Sequence, residues 1–169
     1  MPRSSLILVP TLLSCCVCSV ITAADGPHND GLPRVVAQVL IGTSGFEPGV
    51  AAEWRFGDYG MLVRPEVFIN EDANAGGGAS IGWELSFLPM MEGSCITLGP
   101  RVVYHNSDDK GWEADALAIW HCDLVPSQKG RHFLEVIGAI GVVETDKDGD
   151  NNHQTKVGGT IGIGYGFQF

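Results

Sequence analysis

From residue 156 to residue 169 the chain alternates strictly with a period of two. Val157, Gly159, Ile161, Ile163, Tyr165, Phe167 and Phe169 interleave with Lys156, Gly158, Thr160, Gly162, Gly164, Gly166 and Gln168. Only an extended strand repeats its side-chain direction every second residue, so this stretch has one apolar face and one tiny or polar face. The split recurs upstream. Val50, Ala52, Trp54 and Phe56 alternate with Glu53 and Arg55; Met61, Val63, Pro65, Val67 and Ile69 alternate with Arg64 and Glu66. Ile81, Trp83, Leu85 and Phe87 alternate with Gly82, Glu84 and Ser86, and Ile96, Leu98, Pro100, Val102 and Tyr104 with Thr97, Gly99 and Arg101.

Turn residues divide the chain into eight such segments, at about 34–41, 50–57, 60–70, 79–88, 95–105, 112–124, 132–143 and 155–169. The sixth also fits a helix, because Trp112, Ala116 and Trp120 share a helical face. It is taken as a strand, since an even count returns both chain ends to one side. In the seventh, Phe133, Ile137 and Val143 share the face of Glu135.

The position of the charges separates two kinds of barrel. A soluble ligand-binding barrel turns its apolar face inward, whereas a membrane barrel turns it to lipid and its polar face to the lumen. Glu53, Arg55, Arg64, Glu66, Glu84, Arg101 and Glu135 lie near mid-strand with both signs represented, as an ion-pair network filling a narrow lumen requires. Strands of this length cross a bilayer at a tilt, and closure leaves no backbone edge in lipid. Phe56, Tyr59, Phe87, Trp120, Phe133, Phe167 and Phe169 lie toward one rim, as in an interfacial aromatic belt. At the other rim the connections around 42–49, 70–78, 106–111 and 144–154 read as long acidic loops carrying Glu47, Glu71, Asp72, Asp108, Asp109, Asp146, Asp148 and Asp150. The expected fold is therefore all-β, an eight-stranded antiparallel up-and-down transmembrane β-barrel, with a soluble secreted barrel enclosing a small ligand as the alternative.

Composition narrows the partners. With 10 basic against 20 acidic residues, a formal charge of −10 and no basic run, neither nucleic acid nor an anionic surface is an expected partner. Residues 1–24 read as a secretory signal peptide: Arg3, an apolar stretch from Leu6 to Ile21, and Thr22 and Ala24 placed for cleavage before Asp25. A second reading is lipidation at Cys15. Residues 25–33 form a flexible lead-in and 34–169 the barrel. Cleavage leaves Cys95 and Cys122 as the only mature cysteines, which permit one disulfide or two buried thiols. No later apolar run is long enough for a membrane helix.

The ending Gly164-Tyr165-Gly166-Phe167-Gln168-Phe169 resembles the terminal strand that the barrel-assembly machinery recognises in small outer-membrane β-barrel proteins of diderm bacteria, the eight-stranded class that includes the OmpA transmembrane domain and OmpX. The run from Phe133 to Gly141 resembles that family's Gly-rich penultimate strand. The resemblance covers about residues 34–169. It implies a cell outer-membrane location, an assembly signal at Tyr165, Phe167 and Phe169, outer-membrane lipid and the assembly machinery as partners, no cofactor, and a structural or surface-interaction role. A barrel of this size has room only for its own side chains, which disfavours a wide pore.

His105-Asn106-Ser107 followed by Glu113 is similar to the His-any-Ser motif and later Glu of the lipid A deacylases, which are also eight-stranded barrels. That likeness implies Ser107 as nucleophile, His105 as base and Glu113 orienting the imidazole. The intervening loop is shorter than in that family, the motif lies on the fifth strand and the alternation turns His105 toward the lumen, so a polar loop is the preferred reading. Asp146, Asp148 and Asp150 have calcium-loop spacing, but Asn151 and Val157 stand where an EF-hand needs Gly and Glu. His121, Cys122, Asp123 and His132 fit no zinc spacing and read as rim residues. Ala75-Gly76-Gly77-Gly78 reads as a flexible loop tip.

Overall fold

The computed structural model describes residues 32–42, 45–56, 60–71, 73–85, 94–107, 110–124, 132–147 and 152–168. Residues 1–24, expected to be a signal peptide and including Cys15, and most of the expected lead-in lie outside these. Eight strands follow in chain order: β1 (Arg34–Gly42), β2 (Gly45–Phe56), β3 (Met61–Ile69), β4 (Ala75–Glu84), β5 (Ser94–Ser107), β6 (Lys110–Asp123), β7 (His132–Lys147) and β8 (Asn152–Gln168). Each pairs antiparallel with the next, and β8 closes the barrel on β1 from Arg34 opposite Gln168 to Gly42 opposite Thr160.

The register fixes the tilt. Following partners from Val36 through Ala51, Glu66, Gly78, Val103, Glu113 and Val143 leads to Lys156 on β8, ten residues short of Gly166, which is Val36's own partner there. Spread over eight strands at ordinary spacings, that stagger inclines them by about 40° to the barrel axis.

Parity along each strand separates two faces. Gln38, Glu53, Arg64, Glu66, Arg101, Glu113, Asp115 and Glu135 are buried inside, while Ile81, Trp83, Leu98, Val102, Ile140, Val157, Ile161 and Ile163 stand exposed outside. The sixth segment is a strand, with Glu113, Asp115, Leu117, Ile119 and His121 inward and Trp112 and Trp120 outward. Part of the interior is apolar: Leu40, Leu62, Leu117, Ile119 and Ile137 pack together, as do Val36, Ala51 and Phe133. The tiny inner face of β8 makes room for them. A Cβ on Gly166 would run into the Phe133 ring, and one on Gly162 into Leu40 Cδ2.

Three expectations are corrected. The Gly76-Gly77-Gly78 run is not a loop tip but the start of β4, because a Cβ on Gly76 would collide with the Phe68 ring folded beneath it. Glu47 is not in an exposed acidic loop; β2 begins at Gly45, and its parity seals Glu47 inside at 2% exposure. The connections expected to be long acidic loops are mostly short. The hairpin ends pair as far as Gly42 with Gly45, Ser107 with Lys110 and Lys147 with Asn152, while the longer connections, 85–93 and 124–131, lie at the rim where β1 begins. Polar residues continue a ladder as readily as apolar ones, because the backbone and not the side chain supplies its hydrogen bonds.

Phe133 is a fourth correction. It leaves the outer aromatic belt, being fully buried, with its ring 4.4 Å from that of His121 and the Arg34 guanidinium 5.4 Å from its centre. Tyr59, Phe87 and Phe169 lie outside the described residues.

Candidate functional site

The densest chemistry in the molecule is the polar chain along its bore. All seven charged residues named for the lumen point inward, and each takes part in an ion pair. Arg64, on β3, donates to Glu53 on β2, to Glu135 Oε2 on β7 at 2.6 Å and to Gln38 Oε1 on β1 at 2.5 Å, so one guanidinium ties together strands on opposite sides. Gln38 donates in turn to Glu66 at 2.8 Å, and Arg101 Nε donates to the other oxygen of Glu66 at 2.5 Å. Arg101 Nη1 donates to Asp115 at 2.9 Å and lies 3.7 Å from Glu113. Near the other rim Arg55 meets Glu84 at 3.3 Å and Cys95 Sγ at 3.5 Å.

Each end of this chain finishes in a histidine against a phenylalanine. At the hairpin end His105 Nε2 lies 3.0 Å from Glu113 Oε2 in hydrogen-bond geometry, and Nδ1 lies 3.2 Å from Glu47 Oε1 in a bent contact. The Phe68 ring sits 5.3 Å from that imidazole. At the opposite end His121 Nε2 lies 3.0 Å from Asp123 and Nδ1 3.7 Å from Glu135, against Phe133. Burying this many charges is tolerable only because they answer one another. Not every polar atom is answered: Glu47 Oε1, Glu53 Oε2, Asp115 Oδ1 and Arg101 Nη2 are buried without a well-aligned hydrogen-bond partner, Glu47 Oε1 having only the bent contact to His105.

The structure brings His105 and Glu113 together, as a catalytic reading needs, but in a setting unsuited to it. His105 is 4% exposed and faces the bore, away from any acyl chain outside. Both ring nitrogens already face carboxylates, so neither is left to take a proton from a hydroxyl. Ser107 ends β5 at the hairpin, and its side chain is not among those described.

Cys95 and Cys122 are free thiols. Register makes them near neighbours, with Cys95 opposite His121 and Ser94 opposite Cys122, but that one-residue offset puts them on opposite faces of the sheet. Tyr165 and Phe167 are on the outer face of β8, where Tyr165 Oη lies 2.7 Å from His132 Nδ1 and the Phe167 ring 5.0 Å from the His132 ring. Asp148 and Asp150 lie outside the described residues and the Asp146 side chain is not described. Among the described residues no group of His, Cys, Asp and Glu has the arrangement of a metal site.

Glu47, Glu113, Asp115, His121 and Gln38 belong to the bore network and were not assigned to it from sequence. Their signal was parity. Extending the alternation of β2 back to Gly45 puts Glu47 on the face of Glu53, and reading β6 as a strand puts Glu113 and Asp115 on one inner face with Leu117. No family model matches the chain, and neither the curated proteins nor the solved structures contain a match to it.

Proposed function

We propose that the chain is an integral outer-membrane β-barrel with a structural or surface-interaction role, its bore filled by its own ion pairs. The observation that carries this is the inversion of the two faces. The outer surface is mainly apolar along all eight strands, while Glu47, Glu53, Arg64, Glu66, Arg101, Glu113, Asp115 and Glu135 are buried within. Monomers in water rarely expose continuous apolar surface of that extent. On β2 the outer face runs from Phe46 to Phe56, a rise of about 25 Å at the inferred tilt, the height of the apolar band of such barrels.

Aromatic residues mark both edges of the band. Phe56, Trp83, Trp120 and Tyr165 stand exposed toward the rim where β1 begins, and Phe46, Tyr104 and Trp112 toward the other, with Tyr104 and Trp112 in ring contact at 5.0 Å. This is where amphipathic rings settle at a membrane interface. A soluble ligand barrel would need the opposite arrangement, an apolar interior with charges outside. An esterase would need a histidine nitrogen free to act as base, and His105 offers none.

The test is gel mobility of the protein from isolated outer membranes, with and without boiling in mild detergent. A faster unboiled band is the expected result. An unshifted protein recovered in the soluble periplasmic fraction would overturn the membrane reading.

A further inference from the structure

We propose that His105 is a proton-dependent latch that closes the hairpin end of the bore, joining β2 to β5 and β6 only while both of its ring nitrogens carry hydrogen. The latch needs only the closed barrel and is independent of what covers the outer face.

The geometry is that of a cross-bore bridge. β2 and β5 are not neighbours in the barrel, so the 3.2 Å contact from His105 Nδ1 to Glu47 spans the interior, while Nε2 holds Glu113 on the adjacent β6 at 3.0 Å. Gly76, register partner of His105 on β4, leaves the space that the Phe68 ring fills. The charged groups facing this end are Glu47 from β2, Glu113 and Asp115 from β6, Arg101 from β5, and Glu66 from β3, which is occupied by Arg101. Among the described residues β1, β4, β7 and β8 bring Leu40, Gly76, Val143 and Gly158 there, with Lys156 on the same face of β8 but exposed to solvent. Arg101 is already engaged by Glu66 and Asp115, and among the described residues the imidazole is the cationic group in contact with Glu47.

A neutral imidazole has one N–H and one lone pair. Whichever nitrogen loses its proton then turns a lone pair toward a carboxylate, and the bridge becomes a repulsion between buried like groups. Glu47 is the partner able to leave, because it stands two residues from the start of β2. Its neighbour Phe46 is held from outside the bore by its N–H to Glu71 Oε1 at 3.0 Å.

The test uses the full barrel with 15N-labelled histidine, in micelles or in buffer according to its solubility, titrated from about pH 6 to about pH 10. The spectrum of His105→Gln identifies the His105 signals. The expected result is two protonated ring nitrogens at the acid end. Loss of that proton should coincide with a rise of at least about tenfold in amide exchange at Phe46 and Glu47, corrected for intrinsic rates, with the β1 to β8 ladder unchanged. His105→Lys should stay protected across the range. A singly protonated ring with protected amides at the acid end, proton loss with no change in exchange, or pH-dependent opening in His105→Lys would each overturn the proposal.

Discussion

On β6, Glu113 and Asp115 are sealed inside the barrel, and Trp112, Ala114 and Ala116, interleaved with them along the chain, stand on its outer surface. The usual relation between polarity and burial is thus reversed within five consecutive residues. The difference teaches that burial here follows mutual satisfaction and not hydrophobicity. The inside holds charges because Arg64 and Arg101 each reach several acceptors from different strands, and it holds Leu40, Leu117 and Ile137 wherever no such partner is in reach. Among the described residues the outer face carries no such ion network, and its exposed side chains are mainly apolar. Each face therefore responds to a different perturbation, and three substitutions set them against each other.

The largest effect is expected at the centre of the bore. Arg64→Met keeps most of the side-chain volume but leaves Glu53 and Glu135 buried without their cation, a change that costs about 3–5 kcal/mol when a buried pair loses one member. Urea unfolding of the refolded barrel should show it as a lower midpoint with an unchanged slope. Adding Glu53→Gln and Glu135→Gln should recover much of the loss, because apolar and neutral groups of similar shape replace a buried ion network at little cost. If Arg64→Met alone unfolds at the midpoint of the parent, the bore is not held by these pairs.

Much of this division was legible in the sequence, and the parts that were not share a cause. The alternation of β8 and the mid-strand position of Glu53, Arg64 and Arg101 specify the strands and their two faces, since a period of two admits no other reading. Strand ends were missed because alternation fades where residues turn polar, although the ladder continues: Glu47 and the Gly76 to Gly78 run both fell beyond the apolar pattern and both lie in strands. Phe133 was misplaced because an aromatic residue at a strand end fits a belt as well as a plug. Only Gly166, opposite it on the neighbouring strand, decides between them. Which carboxylate meets which guanidinium was not legible at all. Arg64 meets Glu53, and Arg101 meets Asp115, from a neighbouring strand, but Arg64 reaches Glu135 across the bore, and the stagger that brings such groups level is a property of the closed barrel.

The outer face is tested by Ile163→Lys. Ile163 is 66% exposed, pairs with Val39 and Val136, and lies near the middle of the apolar band. In lipid a lysine there should cost about 2–4 kcal/mol, whereas on a surface that faces water the same change is nearly neutral. Unfolding the parent and the variant in bilayers reads the difference directly. An unchanged midpoint would break the comparison on its outer side and return the barrel to water.

The smallest effect belongs to Glu84→Gln, and it sharpens the inner side of the comparison. The pair of Arg55 and Glu84 has the same chemistry as that of Arg64 and Glu135, but the Glu84 side chain is 35% exposed where Glu135 is fully enclosed. Solvent screens such a pair and hydrates either partner if the other is lost, so its removal should cost no more than about 1 kcal/mol. Arg55 would also retain its contact with Cys95 Sγ at 3.5 Å. Measured by urea midpoint in the same lipid as Arg64→Met, the variant should fall well short of that loss. Equal losses would mean that the number of ion pairs, and not their enclosure, sets the strength of the network, and the bore would then be no different in kind from a wet surface.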